Sequence, residues 1–72
     1  MIKNYKLINS CLEEDIINED TDPKTELASI NWDSVAIASL ISNFGNFNID
    51  IEKLTSCKNI QNLDNFINEL VD

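Results

Sequence analysis

The chain contains no histidine, and only two cysteines, one glycine, one proline and one tryptophan in 72 residues. Without imidazole, the most frequent general base and zinc ligand is missing. Cys11 and Cys57 are too few for a disulfide framework and lack C-x-x-C spacing, so no metal site is expected and both read as reduced thiols on helices. Glycine and proline punctuate loops; their scarcity, beside 43% hydrophobic residues, excludes a disordered chain. Basic side chains are scarce as well. Five Lys and Arg face thirteen Asp and Glu, a formal charge of -8. Such a surface repels phosphate backbones and anionic lipid and attracts basic patches on proteins. Neither nucleic acid nor a membrane is therefore an expected partner. No run approaches the length of a membrane span, and Met1 to Lys6 lacks the apolar stretch of a signal peptide, so the expected location is cytoplasmic. A chain of this length reads as one domain, residues 1–72, and as a monomer. Its small core seldom supplies the walls of a buried catalytic pocket together with fold stability. The expectation is a module with no catalytic activity of its own.

What is present is helical periodicity. Leu7, Ile8, Cys11, Leu12, Ile16 and Ile17 recur at steps of three and four, predicting a helix from Tyr5 to Ile17. Asn18 to Asn31 is polar, carries Pro23, and reads as a long loop with one apolar anchor, Leu27. A second helix is expected from Asp33 to about Phe44, capped by Asp33 or Ser34, with Ile37, Leu40, Ile41 and Phe44 as its core stripe. Gly45 suits its stop, and Asn46 to Ile49 form a connector. A short helix from Ile51 to Ser56 opens on Asp50. Asn59 caps the last helix, whose stripe is Ile60, Leu63, Phe66, Ile67 and Leu70. The fold class is all-α, with three main helices and one short one.

Within this order, Trp32-Asp33-Ser34-Val35 resembles the Asp-Ser-Leu attachment site of acyl and peptidyl carrier proteins. The likeness extends from Leu7 to Val71. In that family the serine opens the second helix after a long loop, a short third helix follows, and a Thr-Val-like pair opens the last helix, where this chain has Asn59-Ile60. The resemblance implies an acyl-carrier-protein-like four-helix bundle with a covalent 4'-phosphopantetheine arm on Ser34. It implies as partners a phosphopantetheinyl transferase, an acyl- or aminoacyl-loading ligase, and an acyltransferase or other downstream enzyme. Asp33 takes the position commonly contacted by the transferase, and Val35 and Ala38 match positions that face partner enzymes. Trp32 either packs the loop onto the core or flanks the arm at the surface. A phosphodiester on Ser34 would stand at a helix N-terminus, where unpaired N–H groups and the helix dipole favour an anion. Taken alone, Asp-Ser reads first as a simple N-cap.

One stretch departs from the family pattern. Where fatty-acid carriers place acidic residues along the second helix, this chain has Ala36, Ala38, Ser39, Ser42 and Asn43. Its acidic residues gather instead at Glu13, Glu14, Asp15, Glu19, Asp20 and Asp22. They form either a solvated face or a relocated partner surface; a calcium loop is disfavoured because Asp20-Thr21-Asp22 lacks the turn glycine and closing glutamate. Two functions follow. The first is a carrier for an acyl or aminoacyl group in a specialised biosynthetic pathway. The second is a small acidic interaction module with a carrier-like fold and no prosthetic group.

Overall fold

The computed structural model describes residues 1–45 and 49–71. Four α-helices follow one another: α1 Tyr5–Leu12, α2 Ser34–Asn43, α3 Ile51–Thr55 and α4 Ile60–Val71, with a 3-10 helix at Leu27–Ile30 inside the long loop. The protein is all-α: among the described residues no strand forms beyond an isolated antiparallel bridge from Glu26 to Asn59. The connector expected at 46–48 lies outside the described residues.

Helix α1 stops five residues before its expected end, and Asn9 is the physical reason. Its Oδ1 accepts the backbone N–H groups of Ile16 and Ile17, each at 3.1 Å, while its Nδ2 donates to the Ile17 carbonyl at 2.8 Å. Those amides are thereby withdrawn from any continuing helix. The stop itself is a left-handed residue, Glu13, at φ 59°. The Glu13 N–H donates to the Ser10 carbonyl and the Glu14 N–H to the Asn9 carbonyl, both at 3.2 Å, the paired bonds of a Schellman end. Ile17 is still buried in the core but from outside the helix, whereas Ile16 is 40% exposed.

The long loop is ordered by what it caps. The first N–H groups of a helix lack partners within it. Here the α4 donors Ile60 and Gln61 reach the carbonyls of Thr25 and Pro23 at 3.0 and 2.9 Å, and Asn62 N–H reaches the Asn59 side chain at 2.8 Å. Leu27, expected as the loop's one anchor, is joined in the core by Ile30 and Trp32. The N-terminal residues are tied down too. Ile2 is 2% exposed, and the buried Asp64 of α4 accepts from the N–H groups of Lys3 and Asn4 and from the Asn4 side chain. A buried carboxylate survives only with such donors around it.

Helix α2 is rolled relative to its expected stripe. Ala36 and Leu40, 2% and 0% exposed, lie deepest, with Ile37, Ile41 and Phe44 half-buried beside them. The small Ala36 allows α1, which α2 contacts, to pack closely. Gly45 follows the helix at φ 63°, a conformation glycine adopts without a steric penalty. Asp50 caps α3 through the Lys53 N–H at 3.1 Å, and a Lys53–Glu69 ion pair joins α3 to α4 at the exposed surface. The α4 stripe Ile60, Leu63, Phe66 and Ile67 closes the core, with Leu70 half-buried at its end.

Candidate functional site

Ser34 is exposed at the first position of α2. The residue before it fixes its setting. Asp33 is extended at φ −124° and ψ −168°, and its Oδ1 accepts from the N–H groups of Val35 at 3.0 Å and Ala36 at 3.2 Å. Asp33, not Ser34, is the N-cap. The Ser34 hydroxyl is thereby left without a capping role, and it makes no hydrogen bond among the described residues. With no histidine in the chain and no lysine beside it, nothing here activates that hydroxyl as a nucleophile. It stands open to solvent at the head of the helix.

The cap corrects one expectation about this position. An anion on Ser34 would not find a row of unpaired N–H groups, because Asp33 already holds those of Val35 and Ala36. A phosphodiester here would gain from the dipole with those two donors already engaged and with a carboxylate as its neighbour.

Val35 and Ala38 are exposed on the same side of α2, one turn apart, and Val35 is 70% exposed. Of the two readings of Trp32 the structure takes the first: at 9% exposure its ring belongs to the core and does not flank Ser34 as a partner-facing surface residue. Its Nε1 is buried without a hydrogen-bond partner. Ala36 is corrected likewise. The sequence grouped it with the neutral outer face, but it lies in the core against α1, so a carboxylate introduced there would be buried rather than displayed.

Two grooves flank α2. On the α3 side, one of about 410 Å³ is lined by Leu27, Trp32, Ile37 and Leu54, with Glu26 and Lys58 at its edge. On the α1 side, one of about 280 Å³ is lined by Cys11, Ile16, Ile30 and Val35, with Glu13, Glu14 and Asp33 among its borders. The sequence separated the acidic residues at the end of α1 from the apolar residues beside Ser34. The fold brings Glu13 and Glu14 to the same groove as Val35. The left-handed turn that places Glu13 there is without a signal in the sequence, since glycine is the usual residue in it.

The two thiols are not activated. Burial pushes the Cys11 thiol up, offset in part by a hydrogen bond from Asn43. Burial likewise pushes the Cys57 thiol up, offset in part by the charge on Lys53. No cluster of three or more His, Cys, Asp or Glu side chains suited to a metal ion occurs among the described residues, and no described helix is long and apolar enough to cross a membrane. In comparisons with known proteins, no family model, no curated protein and no solved structure matches the chain significantly.

Proposed function

We propose that the chain is a carrier protein on which Ser34 bears a 4'-phosphopantetheine arm, serving an acyl or aminoacyl group in a specialised cytoplasmic pathway, with an acyl-carrier-like arrangement of its helices. One observation carries this reading: a serine free of any capping role stands exposed at the start of a helix, behind an aspartate that caps in its place. Many serines at helix starts are there to cap. This one is not. Around it lies the expected order of a long loop, a second helix, a short third helix and a last helix.

The chain's own residues have limited tasks. Asp33 orders the first turn of α2 and so fixes where the Ser34 hydroxyl points into solvent. Val35 and Ala38 offer a shallow apolar surface beside it. The arm would supply a thiol able to hold the cargo as a thioester, a task for which Cys11 and Cys57 are poorly suited because burial pushes both thiols up. In the modification step a transferase forms the bond from Ser34 Oγ to the phosphorus of coenzyme A that bears the pantetheine. The pyrophosphate link breaks, adenosine bisphosphate leaves, and the hydroxyl proton passes to the transferase.

A second reading is favoured by one feature. The helix N–H groups that would welcome an anion are already taken by Asp33, as an interaction module without an arm would have them. Intact-mass measurement separates the two. After incubation with coenzyme A and a broad-specificity phosphopantetheinyl transferase, a carrier gains the mass of one arm. An unmodified chain under conditions that modify a control carrier supports the interaction module.

A further inference from the structure

The groove between α1 and α2 differs in kind from its counterpart on the α3 side. Of the four large apolar side chains exposed among the described residues, Met1, Ile16, Val35 and Ile51, two line it, Ile16 at 40% and Val35 at 70% exposure, and none lines the other groove. Buried Cys11, Ile30 and Ala36 underlie them. Three exposed carboxylates, Glu13, Glu14 and Asp33, share its lining, and none of the chain's five lysines does. The α3-side groove, by contrast, has Lys58 as well as Glu26 and is near neutral. An apolar strip bordered by charge of one sign matches a surface with the complementary pattern.

We propose that the α1–α2 groove is the docking surface for a basic protein partner, an enzyme acting at Ser34 that seats an apolar side chain between Ile16 and Val35 and sets Lys or Arg against Glu13 and Glu14. The location follows from the chain itself. Asp33 and Val35, the two neighbours of Ser34, line the groove although Ser34 itself does not, so a partner seated there lies beside the exposed Ser34 and reaches it over the groove's rim. Exposed charge pairs add little affinity, about 0 to 1 kcal/mol each. Their larger effect is on encounter: long-range attraction raises the association rate and fades as salt shortens the screening length to about 8 Å at physiological ionic strength. The apolar strip supplies the contact that salt leaves intact.

The identity of the partner rests on the carrier reading, while the surface does not, and two measurements keep these apart. In the first, transfer rates from coenzyme A by a broad-specificity phosphopantetheinyl transferase are compared over a range of sodium chloride. The variants are Glu13→Gln with Glu14→Gln, Ile16→Ser with Val35→Ser, and Glu19→Gln with Asp20→Asn, the last matching the first in charge change but lying outside the groove. Glutamine leaves the left-handed backbone at residue 13 as costly as before, so the fold is not relieved or burdened by the change. The first pair is expected to slow transfer about three- to tenfold at low salt, with the deficit shrinking as salt rises. The serine pair slows it at all salt concentrations, and the control pair changes it less than twofold.

In the second measurement, a synthetic amphipathic helix of Leu, Lys and Ala is titrated into the ¹⁵N-labelled protein. Amide shifts are expected at Glu13, Glu14, Ile16 and Val35, needing a several-fold higher peptide concentration in the Glu13→Gln, Glu14→Gln variant and failing to appear in the Ile16→Ser, Val35→Ser variant. This arm needs no modification of Ser34. If no arm attaches but the shifts map to the groove, the docking surface stands and the carrier reading falls. Shifts that gather on the α3-side groove, spread over the whole acidic surface or fail to appear overturn the proposal, as does a control pair that slows transfer as much as the groove pair.

Discussion

Glu13 holds a left-handed conformation at φ 59°, where a side chain crowds the following carbonyl and glycine does not. Glu13→Gly is therefore expected to raise stability by about 1 kcal/mol, reduced somewhat by glycine's greater freedom in the unfolded chain. Urea titration checks it, and a lower midpoint for the variant would contradict the backbone reading. The thiols offer a second residue-scale measurement. Burial raises Cys57 above its ordinary range more than Lys53 lowers it. The folded protein thus holds a proton that the unfolded chain releases first, so this group's contribution to stability falls as pH rises through the ordinary thiol range. Alkylation of Cys57 by iodoacetamide at pH 7.5 is expected to be slower than in the urea-unfolded chain, with its pH–rate curve displaced upward. Equal or faster reaction in the folded state would show an activated thiol.

At the scale of elements, Asn9 decides where α1 ends, and its replacement tests that directly. Asn9→Ala removes three hydrogen bonds and leaves the amide of buried Ile17 without a partner. A loss of about 3 kcal/mol is expected by urea unfolding, well beyond an ordinary surface substitution. A loss below about 0.5 kcal/mol would mean that the Asn9 clamp is not what sets the boundary. The same residue explains what the sequence concealed. Leu12, Ile16 and Ile17 keep helical spacing with Ile8 and Cys11, so periodicity alone runs the helix on to residue 17. The competing signal is Asn9 itself, a polar residue among Tyr5, Ile8 and Leu12 that must find partners if buried. Where caps are local the reading succeeded: Asp50 before α3 and Asn59 before α4 act where their residue types indicate. Where an element's limits depend on contacts distant in sequence, such as Asp64 holding the backbone at Lys3 and Asn4, composition gave no notice.

On the scale of the whole molecule, a single small core is wrapped by short elements, and Ser34 stands outside it. The radius of gyration of 11.0 Å is what about 72 residues require when fully collapsed. The position of Ser34 at the head of α2 was legible because an N-cap signal and a helical stripe meet there. The roll of α2 was not: an alanine is equally at home inside or outside, and only its packing against α1 placed Ala36 in the core. Nor was the joining of Glu13 and Glu14 with Val35 around one groove, because that depends on how α1 stops and how α2 lies across it. The central claim is that Ser34, alone among the chain's six serines, receives the arm. Its most direct test is peptide mapping by mass spectrometry after treatment with transferase and coenzyme A, on the wild type and on Ser34→Ala. One arm on the peptide containing Ser34, and none on a Ser34→Ala protein of unchanged helical content, is the expected result; modification at another serine, or of the Ser34→Ala chain, would contradict it.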